Sequence, residues 1–273
     1  MTDGHWQLDD DGPELYQRYL VPAITVKSAD DLVDRARLRP EDVVLDVACG
    51  TGVVARAAAG RASQGQVTGL DLNSAMLAVA RRVTEAGASI RWVQGTALDL
   101  PFPPGSFDAV LCQLGVQFFP DRGRAVGEML RVLKATGRAA VSVYSPIERT
   151  PGAHAFVRAL DEVLGMGAST IKRSEHSFES PAQLETLLKR SGFKAVDVRV
   201  VEQAIAFPSV LDYVRFQLVA TPMAVLLKEK TVPERRAVMA SVASRTASFT
   251  RPALLPGDAF SFPQEAYVAT ARR

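Results

Sequence analysis

The stretch that most constrains the fold is VVLDVACGTGVVA, residues 43–55. An apolar run broken by one acid, Asp46, leads into a turn that carries two glycines, Gly50 and Gly52. A continuous apolar run of this length is typical of a strand that is buried on both faces of a parallel sheet. Because a helical pattern follows the glycines, the stretch predicts a strand, a tight turn and a helix in that order.

The same alternation continues along the first half of the chain and predicts an α/β fold built from βαβ units. Further apolar runs predict strands over 67–72, 90–95, 107–113 and 138–144, with helical patterns between them, among them a helix over 123–137. Beyond residue 144, the patterns predict helices within 146–190, 208–230 and 233–249, and strands over 194–207 and 265–273. Near the N-terminus, a helix over 14–24 is expected to stop near Pro22, and a second helix over 28–38 has Ser28 as its candidate N-cap.

Composition and charge exclude several classes of partner. The 273 residues are 47% hydrophobic and 23% charged, and 32 basic side chains nearly balance 30 acidic ones, which gives a net charge of +2. A chain this close to neutral is not expected to bind nucleic acid. The acidic tail over 1–12 does not resemble a signal peptide and no apolar run is long enough to span a membrane, so we predict a cytoplasmic protein without membrane insertion. Cys49 and Cys112 lack the spacing of a zinc or disulfide motif; we expect buried small side chains, with a redox pair as the alternative, and no metal site.

Two cofactors compete for the glycine-rich turn. Gly50, Gly52 and Ala55 fit the dinucleotide pattern G-x-G-x-x-A, and Asp71 follows at about the 20-residue distance at which such proteins place a ribose-binding acid. Asp46, however, would repel a pyrophosphate in this turn, at a cost on the order of 1 kcal/mol. A ligand with an ammonium and a sulfonium would instead be attracted, which favours S-adenosylmethionine with its ribose diol on Asp71. Alternatively, Asp46 caps a neighbouring helix and Asp71 is an ordinary acid at a strand end.

Four blocks occur in an order that resembles a known family. They read LDVACGTG, GLDLN, LPFPPGSFDAVLC and EMLRVLK, and they span residues 40–145. The chain is similar to class I S-adenosylmethionine-dependent methyltransferases, with the ubiquinone/menaquinone-type small-molecule enzymes as the nearest subgroup. The resemblance implies a Rossmann-like sheet of seven strands in the order 3-2-1-4-5-7-6, whose last strand is antiparallel, with helical insertions that form a lid.

The resemblance also implies a division of the chain and a set of cofactor contacts. The expected parts are an N-terminal helical cap (1–38), the cofactor-binding core (39–145), a helical lid segment (146–190) and the end of the sheet (191–273) with a helical insertion at about 208–250. By resemblance, the methionine end of the cofactor is held by Asp46, Ala48, Gly50 and Gly52, the ribose by Asp71, the adenine by Leu72, Met76, Thr96, Ala97 and Leu98, and the sulfonium region by Cys112, Gln113 and Gln117, with the helix that carries Tyr16 and Tyr19 closing over the ligand.

Two positions depart from the family pattern. Relatives usually carry an acid where this chain has Thr96, so adenine recognition is expected to be weaker or rearranged, since a hydroxyl also accepts hydrogen bonds. Relatives also tend to carry Pro-Gly where this chain has Ala135 and Thr136, and we expect this change to affect stability alone.

The chemistry expected of such an enzyme demands little from acid–base groups. Methyl transfer requires the nucleophile to be aligned with the methyl group and water to be excluded, and a base is needed only if the nucleophile begins protonated. His154, His176 and Tyr19 are the candidate catalytic residues, although each also fits an ordinary surface or packing role.

The acceptor expected from the sequence is a small hydrophobic or aromatic molecule, methylated on O, N or C. An apolar stripe within 211–223, together with Phe118, Phe119 and Phe216, fits either a core-facing helix or the wall of an acceptor pocket. Two other functions stay open from the residues, namely an NAD(P)-binding oxidoreductase and a non-catalytic partner protein that retains the cofactor. The sequence is compatible with a monomer or a homodimer.

Overall fold

A computed structural model describes residues 12–250 and 260–273. The acidic tail was expected over 1–12, and residues 1–11 of it lie outside the described residues. Within the described ranges, no helix has both the length and the apolar character that crossing a membrane requires.

One seven-stranded sheet organises the fold. Its strands are β1 (Val43–Val47), β2 (Gln66–Asp71), β3 (Ile90–Gln94), β4 (Phe107–Gln113), β5 (Leu133–Tyr144), β6 (Lys194–Phe207) and β7 (Phe260–Arg272). They lie in the order β3-β2-β1-β4-β5-β7-β6, and β7 runs antiparallel to β5 while the pairs among β1 to β5 are parallel. The predicted fold class and strand order are therefore confirmed, and β1, flanked by β2 and β4, marks the point where the strand order reverses.

Two α-helices precede β1, and the others lie in the connections between the strands. They are α1 (Gly12–Leu15), α2 (Val26–Ala36), α3 (Val53–Arg61), α4 (Ser74–Val83), α5 (Arg122–Val132), α6 (Pro151–Leu164), α7 (Thr170–Glu175), α8 (Pro181–Arg190), α9 (Val210–Ala220) and α10 (Val232–Phe249). A π-helix (Tyr16–Thr25) joins α1 to α2, and 3₁₀ turns cover Val116–Phe118, Ile147–Arg149 and Pro222–Leu227.

The start of the described chain differs from the sequence prediction. Pro22 does not end a helix but lies inside the π-helix. Proline obstructs an α-helix because it lacks the N–H and its ring meets the carbonyl four residues earlier, whereas the π-helix uses a different, i to i+5 spacing. The helix α2 therefore begins at Val26, and the prediction of Ser28 as an N-cap is wrong: its Oγ donates to the Thr25 carbonyl at 3.3 Å from inside the helix.

The transition from α5 to β5 also differs from the prediction. The expected helix over 123–137 ends at Val132, and β5 begins at Leu133. Pairing with β4 jumps from Phe107–Leu133 to Ala109–Arg138, so β5 carries extra residues that bulge between these two pairs. A Cβ at Gly137 would lie 2.8 Å from the Lys134 carbonyl oxygen, which shows how tightly the bulge folds back on itself.

The chain packs into two compact units, and the first contains most of the sheet. It comprises residues 25–144, 178–201 and 266–273. Its apolar core has two separate clusters, one that includes Leu45 and Val47 and another that includes Val44. Because side chains alternate along a strand, Asp46 shares the face of Val44, on the side where α2 and α3 pack.

The second unit comprises residues 12–24, 145–177, 202–250 and 260–265 among those described. Its core is aromatic: the Tyr213 ring lies 5.0–5.6 Å, between centroids, from four phenylalanine rings, those of Phe156, Phe207, Phe260 and Phe262. The domain boundaries expected at residues 38, 145 and 190 stay a prediction.

Candidate functional site

The candidate site lies at the carboxyl ends of β1, β2 and β4. These strands are parallel neighbours, so their ends meet at one edge of the sheet. Asp46 pairs in register with Gly69 of β2 and Leu111 of β4, and Asp71 is the last residue of β2. Ligands of open α/β sheets bind in the crevice outside this edge, at the point where the strand order reverses.

Asp46 is a buried acid near the end of β1. Its relative exposure is 1%, and neither carboxylate oxygen has a partner among the described residues. The N–H of Ala55 in α3 lies close enough to favour the charged form but does not meet hydrogen-bond geometry. Burial raises the pKa of Asp46 well above its usual value, with Asp71 adding to the rise and Arg56 opposing it. Such a group requires either a proton or a cation.

Asp71 fastens two loops of the site together. Its Oδ2 accepts a hydrogen bond from the Gly50 N–H at 2.8 Å, and its Oδ1 accepts one from the Asn73 N–H at 2.9 Å. Burial raises the pKa of Asp71, while these backbone donors oppose the rise. Asn73 in turn caps α4 by accepting from the Ala75 N–H at 2.9 Å. The acid that was expected to hold a ribose therefore also fixes the glycine-rich turn.

The turn after β1 depends on left-handed backbone conformations. The φ angles of Ala48, Gly50 and Gly52 are 56°, 55° and 83°. A Cβ at Gly52 would lie 2.2 Å from the Trp92 ring, and one at Gly69 would lie 2.4 Å from the same ring. Gly52 is thus required both by its φ and by the indole that packs against the turn, and this packing adds a reason beyond ligand approach.

The residues after β3 form a local turn. The hydroxyl Oγ1 of Thr96 accepts from the Leu98 N–H at 3.2 Å, and Thr96 pairs with Asp99 in an isolated bridge. Ala97 is buried, and the Leu98 carbonyl accepts from the Arg124 Nε–H at 2.7 Å. Since the Thr96 hydroxyl already accepts one hydrogen bond within the turn, an adenine amino group would have to share that oxygen.

The other predicted cofactor residues fall into different environments. Gln113 Nε2 donates to Ser28 Oγ at 2.9 Å and to the Thr25 carbonyl at 3.3 Å, so its amide nitrogen is directed at the start of α2. Gln117 Nε2 donates to the Leu114 carbonyl at 2.9 Å, while its buried Oε1 has no partner among the described residues. Leu72, which directly follows β2, is 60% exposed, and Met76 on α4 is buried.

The two cysteines are free, buried thiols. Burial raises the pKa of Cys49 and of Cys112, with Asp46 adding to both shifts. A buried, protonated thiol is a poor nucleophile, so the structure favours the packing role over the redox pair.

The candidate catalytic residues belong to the second unit. His176 Nδ1 donates to the Ser145 carbonyl at 2.8 Å, and burial, assisted by Lys172, lowers its pKa to about 3. At neutral pH this ring is uncharged and a weak base. His154 is half-buried on α6. Tyr16 and Tyr19 are half-buried on the π-helix, where the Arg18 guanidinium lies 5.4 Å from the centre of the Tyr19 ring. Their roles stay predictions.

The apolar stripe proposed as a pocket wall packs mainly as core. Three of its members are buried, namely Val214, Leu218 and Met223. Phe216, predicted beside the stripe, is also buried and stacks on Phe207 at 6.0 Å between centroids. By contrast, Leu211 is 49% exposed and Phe118 is 50% exposed.

Sequence reasoning missed two residues of the site. Trp92 was seen only as part of a strand, and no local pattern links it to glycines that lie far from it in the chain. Arg56 was seen only as a residue of α3; its Nη1 donates to the Thr51 carbonyl at 2.6 Å. Its sequence signal was a charged residue in the first helical turn after the glycines, a position close to the predicted cofactor.

These residues fit S-adenosylmethionine. The orphaned carboxylate of Asp46 suits a cationic group, and Asp71 retains lone pairs beyond the two backbone hydrogen bonds that it accepts. Both acids stand at the edge where the strand order reverses, with the left-handed turn between them in the chain.

Comparison with known proteins agrees with this geometry. Residues 45–141 match the family model described as "Methyltransferase domain". The chain is 35% identical, over 59% of its length and 78% of the relative, to demethylmenaquinone methyltransferase from Thermus thermophilus. It is 33% identical, over 56% of its length and 65% of the relative, to chloroplastic 2-phytyl-1,4-beta-naphthoquinone methyltransferase from Arabidopsis thaliana.

Solved structures support the same fold. A putative methyltransferase from Bacillus halodurans superposes with a TM-score of 0.59 at 24% identity, over 90% of this chain and 98% of the other. The fold and the sequence matches together define a class: the chain belongs to the class I S-adenosylmethionine-dependent methyltransferases. Within that class it falls in the ubiquinone/menaquinone-type subgroup, and it is an enzyme whose methyl donor is S-adenosylmethionine.

Proposed function

We propose that this methyltransferase acts on a reduced quinone-type aromatic, a hydroquinone, and places the methyl group on a ring carbon. The proposal is supported by the relatives, one of which acts on demethylmenaquinone and another on a phytyl naphthoquinone by their names. A quinone ring is electron-poor, whereas the two oxygens of a hydroquinone push electron density onto the ring carbons, so the reduced form is the nucleophile. The ring carbon gains the methyl as the S–CH₃ bond breaks, and the ring then loses its C–H proton.

We also propose how the chain holds its cofactor. The bound cofactor supplies an activated methyl group on a sulfonium. Asp46 meets the positive end of the methionine portion, the turn with Gly50 and Gly52 lies against that portion, and Asp71 accepts hydrogen bonds from the ribose diol. The observation that carries this arrangement is the buried Asp46 carboxylate, whose two oxygens lack any hydrogen-bond partner among the described residues. Leu72, Met76, Thr96, Ala97 and Leu98 are proposed around the adenine, and Ala48, Cys112, Gln113 and Gln117 around the methionine end.

The experiment is a methyl-transfer assay with 1,4-naphthohydroquinone under anaerobic conditions. Methyl-labelled S-adenosylmethionine should transfer its label to the hydroquinone. A C-methylated product oxidises back to a quinone with ferricyanide, whereas an O-methyl ether does not, so oxidation of the labelled product distinguishes the two atoms. The proposal fails if no labelled quinone forms while the protein binds S-adenosylhomocysteine, and label in a non-oxidisable ether would contradict the carbon assignment.

The alternative functions are not favoured by these findings. An NAD(P)-binding oxidoreductase would place a pyrophosphate beside Asp46, which would repel it. Membership of the methyltransferase family instead favours S-adenosylmethionine as the ligand. A non-catalytic partner protein would bind S-adenosylhomocysteine without transferring any label. The cytoplasmic location, the absence of a nucleic-acid partner and the monomeric or homodimeric state also stay proposals.

A further inference from the structure

Gln117 is a buried side chain whose amide is satisfied on one side only. It lies in the 3₁₀ turn Val116–Phe118 that follows β4, and its relative exposure is 6%. Its Nε2 donates to the Leu114 carbonyl at 2.9 Å, while its Oε1 is removed from solvent and meets no donor among the described residues. Reversing the amide would not relieve this, because Oε1 would then face the Leu114 carbonyl oxygen. A buried acceptor of this kind costs free energy until a donor reaches it.

The backbone around Gln117 holds this amide in place. Leu114 has a left-handed φ of 50°, and its N–H donates to the Ser142 carbonyl of β5 at 2.9 Å. The Gln117 carbonyl accepts from the Arg122 Nη2–H at 3.1 Å. Strained backbone that is fixed by hydrogen bonds is typical of functional sites, and here it keeps Oε1 in the interior.

The same segment packs against the glycine-rich turn of the cofactor site. A Cβ at Gly115 would lie 2.8 Å from Cys112 Sγ and 3.0 Å from the Cβ of Ala48. Ala48 directly follows β1 and is proposed at the methionine end of the cofactor, so the segment 112–117 borders that end. Because the sulfonium carries the methyl group at the methionine end, the acceptor has to enter the space beside it.

We propose that Gln117 is a specificity-determining residue of the acceptor site: its Oε1 accepts a hydrogen bond from a hydroxyl of the hydroquinone and thereby selects the reduced ring over the quinone. The inference rests on the proposed function, which supplies the hydroquinone. A hydroxyl donates to an amide oxygen, whereas a quinone presents carbonyl oxygens that only accept. The quinone would therefore leave Oε1 unpaired and place a second acceptor against it.

The donors of the cofactor already have proposed partners elsewhere. Its ammonium group is proposed at Asp46, its ribose hydroxyls at Asp71 and its adenine near Thr96. A hydroxyl of the acceptor is then the donor that remains for Gln117 Oε1.

The test compares the two redox forms of one ring on matched variants. Under anaerobic conditions, 2-methyl-1,4-naphthohydroquinone and 2-methyl-1,4-naphthoquinone are titrated calorimetrically into protein saturated with S-adenosylhomocysteine. Wild type should bind the hydroquinone at least about fivefold more tightly than the quinone, the scale of one buried hydrogen bond. Gln117→Met keeps the length of the side chain but removes both polar atoms, so the two affinities should come within about twofold of each other. Its affinity for S-adenosylhomocysteine should stay within about twofold of wild type.

Two further variants serve as controls. Gln117→Glu keeps an oxygen acceptor, and its protonated carboxyl can still donate to the Leu114 carbonyl. At about pH 5.5, where burial keeps such a carboxyl protonated, this variant should retain the preference for the hydroquinone. Gln183→Met applies the methionine substitution on α8, to a glutamine whose Oε1 already accepts from the Glu179 N–H at 2.9 Å. Its affinities should match wild type.

Each contrary result has a distinct meaning. If wild type binds both redox forms equally, or if Gln117→Met keeps the wild-type preference, Oε1 does not recognise the hydroxyl and the inference is wrong. The wild-type comparison needs no variant, so the inference stays testable even if Gln117→Met is unstable. A loss of S-adenosylhomocysteine affinity in Gln117→Met with the hydroquinone preference intact would assign Oε1 to the cofactor and overturn the inference. If neither redox form binds to wild type that binds S-adenosylhomocysteine, the quinone-type substrate of the proposed function fails and the inference fails with it.

Discussion

Asp46 illustrates how a single side chain can favour ligand binding at the expense of stability. Its carboxylate is removed from water, and no described residue donates a hydrogen bond to it. Such an arrangement is unfavourable in the ligand-free protein and becomes favourable when a cation arrives, which is a common trade between stability and activity at functional sites.

Asp46→Asn is therefore expected to stabilise the ligand-free protein while weakening cofactor binding. A carboxyl group with a raised pKa in the folded state holds its proton longer than in the unfolded chain, so the stability that it contributes is lost as pH rises above the unfolded value of about 3.9. At about pH 8 the variant should gain about 1–3 kcal/mol in the free energy of unfolding, and less at about pH 5. Urea unfolding without ligand measures both; a variant less stable than wild type at the higher pH would contradict the assignment.

His176 gives a pH dependence of the opposite sign. Burial lowers its pKa to about 3 from 6.5, so the unfolded chain binds the proton more readily and stability is lost as pH falls below about 6.5. The slope should approach about 1.4 kcal/mol per pH unit. His176→Asn removes this titration, and the asparagine amide N–H takes the place of the Nδ1–H that faces the Ser145 carbonyl. Between about pH 6.5 and pH 4.5 the unfolding free energy of the wild type should fall more steeply than that of the variant; parallel curves would show that His176 is not buried as described.

At the scale of elements, the unit β1–turn–α3 depends on a residue from another strand. The Trp92 ring of β3 occupies the space into which side chains at positions 52 and 69 would project. Glycine at position 52 therefore satisfies both a left-handed φ of 83° and the close approach of an indole. The turn, the helix that follows it and β3 are one packed assembly.

Gly52→Ala tests this packing, and Gly60→Ala on the same helix is its control. The new methyl group at position 52 would overlap the Trp92 ring and strain the backbone, so a loss of at least about 2 kcal/mol in unfolding free energy is expected. A Cβ at Gly60 would meet nothing within 4 Å, so alanine there should stabilise by up to about 1 kcal/mol. Thermal or urea unfolding of both variants provides the measurement, and equal effects at the two positions would rule out the proposed role of Trp92.

Sequence patterns predicted the elements better than their contacts. All seven strands were located, β1 to β5 from apolar runs and β7 from alternating side chains, because both patterns are local in the chain. The path through Pro22, the bulge of β5 and the direction of the Gln113 amide were not predictable, because each depends on geometry or on partners outside the local pattern. Arg56 and Trp92 were missed for the same reason. Asp46, Asp71 and the glycines were found because their spacing in the sequence matches a known cofactor-binding motif.

At the scale of the whole molecule, cofactor binding should be coupled to folding. A ligand that binds only the folded state stabilises it by about 2.7 kcal/mol at a free concentration of 100 times its Kd. S-adenosylhomocysteine should raise the melting temperature of the wild type accordingly.

Asp71→Ala should lose most of that shift. The substitution removes the proposed ribose ligand and also the acceptor of the Gly50 and Asn73 N–H groups, so S-adenosylhomocysteine affinity should fall at least about tenfold, or about 1.4 kcal/mol. Thermal unfolding with and without ligand measures the effect. An undiminished ligand-induced shift in the variant would reject the ribose assignment.

The central claim is that the methyl donor lies against Asp46 and Asp71, at the carboxyl ends of β1 and β2. A crystal structure with S-adenosylhomocysteine tests it most directly. The account predicts both ribose hydroxyls within about 2.6–3.0 Å of the Asp71 carboxylate and the ligand's ammonium group on the Asp46 side of the glycine-rich turn. A ligand whose ribose lies away from Asp71, or whose carboxylate rather than ammonium faces Asp46, would contradict it.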